Sequence, residues 1–150
     1  MAAEYLANEK QSIPLNTPIS FIASIPCNRG NVLHENGTGI FILKGNTNQC
    51  FATYKVTYTG NIAVTEGGTV TPIATAIVVN GEPRLVSRAI SSPAAAEEFN
   101  SVTSTAIIKV PRGCCFTLAI EYVSGITDGT TVPTPVMDQI NGSVDINRIA

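Results

Sequence analysis

The sequence predicts an all-β domain, a sandwich or barrel of short antiparallel strands. Apolar and polar residues alternate from Cys50 to Val64, which is the period of a strand with one buried face. Asn-Gly pairs, a strong hairpin signal, occur at 36–37, 80–81 and 141–142. A helical period is almost absent, and short strands separated by turn residues are typical of sandwiches and barrels.

The long alternating stretch is the element around which the other strands are expected to pack. Its even positions are apolar apart from Gly60, and its odd positions are mostly threonine, lysine and asparagine. Because the parity survives Gly60, we predict one strand that is kinked or bulged at this glycine.

The other elements follow from apolar runs bounded by turns. Residues 1–18 have no sustained period and contain Pro14 and Pro18, so they predict an N-terminal arm outside the core. Residues 73–79 are apolar on both faces and should be covered on both sides. Further strands are predicted at 19–23, 31–34, 39–43, 85–90, 102–110, 116–122 and 143–149, with a helix-like turn only at 93–98. The prediction is an arm, 1–18, and one domain, 19–150.

Composition narrows the function classes. The chain has 150 residues, 44% of them apolar and 13% charged, with a net charge of −2. The chain has no excess of basic residues that could bind the phosphates of a nucleic acid. No run approaches the ~20 apolar residues of a membrane span, and the first ten residues do not have the pattern of a signal peptide. So few charges favour self-association or docking on a larger assembly.

The four cysteines are Cys27, Cys50, Cys114 and Cys115, and their spacing matches no metal or redox motif. Without an export signal we expect a reducing compartment, and hence free, buried thiols. Cys114 and Cys115 should point to opposite faces of a strand, which makes a bond between them unfavourable.

No catalytic group is evident. His34 is the only histidine, and its neighbour Glu35 would face the other side of a strand, so we expect a turn or surface histidine. The acids are scattered at turns, and Asp128 and Asp138 lack calcium-ligand spacing. We predict no enzymatic activity, no cofactor and no metal site.

Several segments resemble a known family. The similarity is to the trimeric jelly rolls of the C1q/tumour-necrosis-factor type, including the C-terminal domains of bacterial collagen-like spore-surface proteins. The segments that carry it are Tyr54–Tyr58 in the long strand, the hairpin Val78–Glu82, the turn Ile107–Gly113 and the closing strand. The chain looks closer still to small structural proteins of tailed phages and prophages of Gram-positive gut bacteria. The segments that carry this closer likeness are 26–30, 51–54, 60–64 and 111–115. No collagen repeat is present.

The resemblance implies a single-domain antiparallel jelly-roll sandwich that forms a homotrimer through one sheet. The candidates for the trimer interface are Tyr54, Tyr58, Ile73, Ile77, Val79, Phe116, Leu118, Ile120 and Tyr122. The competing interpretation is that most of them are ordinary sandwich core.

For function, the resemblance implies a virion structural protein, a capsid decoration or head-fibre trimer assembled in the host bacterial cytoplasm. It would bind the major capsid protein or another virion protein through its N-terminal arm, for which the candidate contacts are Tyr5, Leu6, Ile13 and Leu15. The alternatives are a receptor- or glycan-binding module that uses loops such as Gly125–Pro135, and a spore or cell-surface protein. Neither a nucleic acid nor a membrane is expected as a partner.

Overall fold

The computed structural model describes residues 2–25, 31–125 and 134–150. The described residues form two six-stranded sheets. The strands are β1 Ala2–Ala7, β2 Gln11–Ile13, β3 Ala23–Ile25, β4 Val32–His34, β5 Phe41–Lys44, β6 Phe51–Val64, β7 Ile73–Val79, β8 Glu82–Pro83, β9 Ala89–Ser91, β10 Asn100–Pro111, β11 Cys115–Ser124 and β12 Met137–Arg148. A short 3-10 helix spans Leu85–Ser87.

The two sheets face each other across one apolar core. Sheet 1 has the order β10-β6-β12-β1-β3, with β2 also paired to β12. Sheet 2 has the order β4-β5-β11-β7-β8, with β9 also paired to β7. All strand pairs are antiparallel. The predicted all-β sandwich is confirmed.

The central strand β6 confirms the predicted single long strand. Its even side chains are buried against sheet 2, and it pairs with β10 on one edge and β12 on the other. Gly60 lies where Tyr58 and Gln139 approach the backbone, and a Cβ there would clash with the Tyr58 hydroxyl. Opposite Gly60 the ladder with β12 shifts register between Ile140 and Ser143, so the bulge is on β12.

Strand β7 is covered on both faces, as predicted. Ile73 and Ile77 join the main core, whereas Ala74 and Ala76 point to the outer face of sheet 2 and are still fully buried. Arg88 helps to explain this burial. It precedes Ala89, which pairs with Thr75, and its Nη1 donates to the carbonyl of Ser124 on the far side of β7, 3.3 Å away. This bond takes the Arg88 side chain across β7, the strand that carries the two alanines, with its aliphatic stem available to cover apolar surface.

The prediction that residues 1–18 form an arm outside the core is wrong. Strand β1 is inserted between β12 and β3, and β2 also pairs with β12. The chain then reaches sheet 2, where the Ile19 amide donates to the carbonyl of Ile120 at 2.8 Å. The alternation of apolar and polar residues in β1 and β2 is difficult to recognise in the sequence, because each strand is short and alanines occupy much of the inward face.

Three further local predictions differ from the structure. Residues 85–90 begin as a 3-10 turn and become a strand only at Ala89. Asn141-Gly142 does not turn the chain but lies inside β12 at the bulge, with Asn141 in the left-handed region. In the 19–23 segment, Phe21 makes an isolated bridge to Thr38, and strand β3 begins only at Ala23. By contrast, Asn80-Gly81 makes the predicted tight turn between β7 and β8.

Candidate interaction surface

The nine residues predicted at the trimer interface lie mainly in the protomer core. Tyr54, Tyr58, Ile73, Ile77, Leu118, Ile120 and Tyr122 are buried between the sheets, and Val79 and Phe116 are partly buried against the same cluster. The buried seven would have to repack to reach a second subunit. Their role in trimer contacts stays a prediction.

The three tyrosines in this set are fixed by their hydroxyl groups or by close packing. The Tyr54 hydroxyl donates to the carbonyl of Lys44 at 2.5 Å, which ties β6 to sheet 2. The Tyr122 hydroxyl donates to the carbonyl of Pro135 at 2.8 Å, and burial raises the pKa of Tyr122 to about 12. Burial also raises the pKa of Tyr58 far above its ordinary value, because an ionised phenol there would lose its water.

The residues predicted to dock the arm lie within the sandwich. Tyr5 and Ile13 are buried in the main core, and Leu6 and Leu15 are half-buried. The Tyr5 ring packs edge-on against His34 and Phe41, with centroids 4.9 and 4.7 Å apart. These contacts hold β1 against sheet 2. The docking role of these residues stays a prediction.

The outer face of sheet 1 is flat, polar and rich in threonine. Thr57 lies opposite Thr105 and Thr59 opposite Thr103 on adjacent strands, with 3.5 Å between the Thr57 and Thr105 hydroxyl oxygens. In the next row the Ser101 hydroxyl donates to Asn61 Oδ1 at 2.8 Å. The polar odd positions of β6 indicate this face in the sequence, whereas the predicted trimer interface consists of apolar and aromatic positions.

An apolar edge borders this face where β10 ends the sheet. Ile107 is 53% exposed on β10, and Val86 in the neighbouring 3-10 turn is 98% exposed. Arg84 Nη1 donates to the Ile107 carbonyl at 3.1 Å and so joins the turn to the strand. Leu85 is exposed beside Val86. Exposed aliphatic side chains grouped in this way are typical of contact surfaces.

The outer face of sheet 2 is more apolar. A shallow groove of about 490 Å³ runs over it and is lined by Leu33, His34, Glu35, Thr38, Ile40 and Ile42. Further along the face stands Glu121, whose pKa is raised because burial among apolar neighbours disfavours the carboxylate.

His34 lines this groove, and its role there is in packing. Its ring stacks on Phe41 with centroids 4.4 Å apart, and its Nε2 is 2.9 Å from the carbonyl of Thr38. It is half-buried rather than at the surface. Within the described ranges, no three His, Cys, Asp or Glu side chains converge on a position that could hold a metal ion.

The thiols are not where the sequence predicted them. Cys50, Cys114 and Cys115 are free but exposed, at the turns where β6 begins and β10 passes into β11. The prediction of buried thiols is wrong for these three, because each lies just outside the apolar part of its strand. Cys27 lies outside the described residues, as does most of the Gly125–Pro135 loop.

A second groove, of about 380 Å³, opens at the same end of the molecule. It is lined by Gln49, Cys50, Phe51, Thr53 and Lys109. Phe51 and Lys109 both lie on the outer side of sheet 1, where the backbones of β6 and β10 are paired. This groove combines an exposed aromatic ring, a cation and an amide.

In the part of the chain that the structure describes, no helix is long and apolar enough to cross a membrane.

Of the comparisons with known proteins, only the one with solved structures found matches, and these matches concern the fold. No protein-family model matches the chain, and no curated protein sequence matches it. Among solved structures, it is similar to the globular domain of zebrafish complement 1qA protein, with a TM-score of 0.65 and 14% identity over 99% of this chain and 96% of that one. It is also similar to Eiger TNF from S. frugiperda, with a TM-score of 0.66 and 13% identity over 100% of this chain and 92% of that one. Murine APRIL gives a TM-score of 0.56 and 12% identity over 95% of this chain and 97% of that one. Two antiparallel sheets in this order, matched over nearly whole chains, show that the protein has the jelly-roll fold of the C1q/TNF type.

Proposed function

We propose that the protein is a non-enzymatic homotrimer whose protomers meet through the outer face of sheet 1. The observation that carries this proposal is the pairing of a flat threonine face with an apolar edge on the same protomer. A cyclic trimer has a heterologous interface, in which two different patches of each protomer meet. The apolar edge at Leu85, Val86 and Ile107 and the face around Thr59 supply two such patches.

The middle of β6 and β10 carries no charge on this face, although Asp145 of β12 lies opposite Thr57, and this supports the same proposal. Between Thr57 and Asn61 on β6, and between Ser101 and Thr105 on β10, the outward side chains are hydroxyls and one amide. Burying neutral hydroxyl groups that already bond one another costs far less than burying charges.

The test is the mass of the protein in native buffer at micromolar concentration. We expect three times 15.7 kDa. Thr59→Arg should dissociate the trimer, because it places a charge in the middle of the face. Thr117→Arg is the matched control, since Thr117 is exposed on the outer side of sheet 2. A monomeric wild-type protein would overturn the trimer, and equal masses for the two variants would overturn the assignment of the face.

The place of the trimer is proposed to be the virion of a tailed phage, as a capsid decoration or head-fibre protein in contact with the major capsid protein. The support is the resemblance of segments 51–54, 60–64 and 111–115 to small phage structural proteins, together with a fold suited to trimers. Negative-stain imaging of purified particles labelled with an antibody to this protein is the test. Regularly spaced label is expected, and unlabelled particles that contain no copy of the chain would reject the role.

The second candidate function is a receptor- or glycan-binding module of a phage fibre or a spore-coat-like surface protein. The specific observation in its favour is the groove at Phe51 and Lys109, whose lining suits a polar ligand with an apolar face. A panel of immobilised glycans tests this function at any site on the protein. Absence of binding to the whole panel would reject it.

A further inference from the structure

One end of the sandwich is basic. Lys109 lies near the end of β10, Arg112 in the turn that follows, Arg148 at the end of β12 and Lys44 at the end of β5. These strand ends meet, because Lys109 pairs with Thr53, Arg148 pairs with Tyr54, and the Tyr54 hydroxyl reaches the Lys44 carbonyl. Four of the nine lysines and arginines of an acidic chain thus share one end.

Among the described residues, no acidic side chain forms an ion pair with these cations. The ion pairs in this part of the chain are those of Lys10 with Glu97 and with Asp138, and neither involves this end. Arg148 is held by backbone oxygens, since its Nη2 donates to the Asn46 carbonyl and its Nε to Ala150 O, each at 2.7 Å. Lys109 and Arg112 are exposed. Unpaired cations grouped together attract an anionic partner.

The groove beside Lys109 gives this basic end a concave surface. Its volume of about 380 Å³ is in the range of small-molecule sites, roughly 300–1,000 Å³. Phe51, 46% exposed, offers the flat apolar surface of its ring. Gln49 brings an amide that both donates and accepts, and Thr53 brings a hydroxyl.

We propose that this groove binds a saccharide that carries a carboxylate. The Lys109 ammonium would pair with the carboxylate in a charge-assisted hydrogen bond. The C–H face of the sugar ring would pack on Phe51, and the amide of Gln49 would bond the sugar hydroxyls. The inference rests on the second proposed function, the glycan-binding module, and is independent of the virion role.

A bare polyanion would use only part of this site. The phosphate groups of a polyphosphate would meet the cations but would leave the Phe51 ring without a partner. The ring and the amide therefore favour an acidic sugar over a plain polyanion. Because the groove is shallow, each site should bind weakly.

The experiment is calorimetric titration of the full chain with trigalacturonate, with neutral maltotriose and tripolyphosphate as comparison probes. Trigalacturonate should bind best, with an affinity that falls as salt is added. Lys109→Ala should weaken it roughly tenfold or more, and Phe51→Ala by about threefold or more. Lys55→Ala and Phe99→Ala are the matched controls, because both residues are exposed outside the groove, and they should bind as the wild type does.

Two results would overturn the proposal. Tripolyphosphate that binds as tightly as trigalacturonate and is insensitive to Phe51→Ala would show general attraction to a basic surface. Trigalacturonate that does not bind, or binds the groove variants as well as the controls, would show that the groove is not the site. If other glycans bind elsewhere on the protein, the glycan-binding function stands while this site falls.

Discussion

Strands β6 and β1 lie on either side of β12, but they are held in sheet 1 by different means. β6 is paired along both edges over most of its length, and its even side chains supply the centre of the core. β1 pairs along its length with β12 but only over three residues with β3. It depends in addition on the Tyr5 ring and on the Lys10 ion pairs just after it. β6 is thus held by strand pairing along both edges, whereas β1 is held by its pairing with β12 and also by side-chain contacts outside the sheet.

The largest expected effect is the loss of folding when residues 1–18 are deleted. The deletion removes β1 and β2, exposes the edge of β12 and opens the aromatic cluster at Phe41. We expect the truncated chain to lack a cooperative thermal transition by circular dichroism. A truncated protein that melts cooperatively near the wild-type temperature would contradict the structural role of β1.

A single substitution sharpens this test if the deleted chain aggregates. Tyr5→Ala should lower the free energy of unfolding by about 3–5 kcal/mol, the usual cost of removing a buried aromatic ring. Phe51→Ala is the matched control, because Phe51 is 46% exposed and the loss of its ring should cost no more than about 1 kcal/mol. Equal effects would show that β1 adds nothing beyond an ordinary surface strand.

The next effect concerns the centre of the core and appears at alkaline pH. Tyr122 stays protonated up to a pKa of about 12, whereas tyrosines of the unfolded chain ionise near 10. Stability is therefore complete below about pH 10 and is lost as the pH rises toward about 12, by roughly 2–3 kcal/mol from Tyr122 alone. Tyr58 and Tyr54, whose pKa values are also raised by burial, add to the loss.

Urea melts between pH 8 and 12, followed by phenolate absorbance, measure this alkaline loss. Tyr122→Phe should be less stable at neutral pH, because it loses the bond to Pro135, but should show a shallower alkaline decline. A decline as steep as that of the wild type would mean that Tyr122 does not contribute to it.

A smaller effect comes from the Lys10 ion pair, which fixes the turn between β1 and β2. Asp138 is only 1% exposed and lies 3.4 Å from Lys10 Nζ and 2.8 Å from the Ser12 hydroxyl. Lys10→Met leaves the buried carboxylate with Ser12 alone and should cost roughly 1–3 kcal/mol, reduced by the half exposure of Lys10.

The partner substitution tests which member of the pair matters. Asp138→Asn should cost less than Lys10→Met, because the freed ammonium can turn into water and the amide keeps a group for Ser12. Chemical denaturation of the two variants under the same conditions measures the order. The reverse order would show that the carboxylate is stabilised by something other than Lys10.

The smallest effect is expected at the exposed thiols. Cys50→Ser, Cys114→Ser and Cys115→Ser should each change the free energy of unfolding by no more than about 0.5 kcal/mol, because these residues lie at the surface. All three should react with a thiol reagent in the folded protein. Slow reaction that speeds up only on unfolding would place them in the interior after all.

The sequence revealed those elements whose pattern is long or chemically distinct. The alternation of β6 predicted its bounds to within a residue, the double-sided apolar run predicted β7, and Asn80-Gly81 predicted its turn. β1 was missed because Ala3 and Ala7 mark its inner face only weakly and Leu6 lies on the outer one. Its place in the sheet is set by partners far away in the chain.

The candidate surfaces were predicted less well than the strands. Apolar positions on β6 and β11 were expected to serve the interface, but a period of two does not show whether a face meets the second sheet or a second subunit. The groove at Phe51 was not predicted, because it needs the end of β10 beside the beginning of β6, and their pairing joins residues nearly sixty positions apart.

The path of Arg88 across Ala74 and Ala76 has a consequence for how this chain can evolve. The stem of the arginine occupies the space that a larger residue at position 76 would need, although the two residues lie on different strands. A relative with valine or leucine at 76 should therefore carry a shorter side chain at 88. Positions 76 and 88 should therefore covary among related sequences, with alanine at 76 accompanied by arginine at 88.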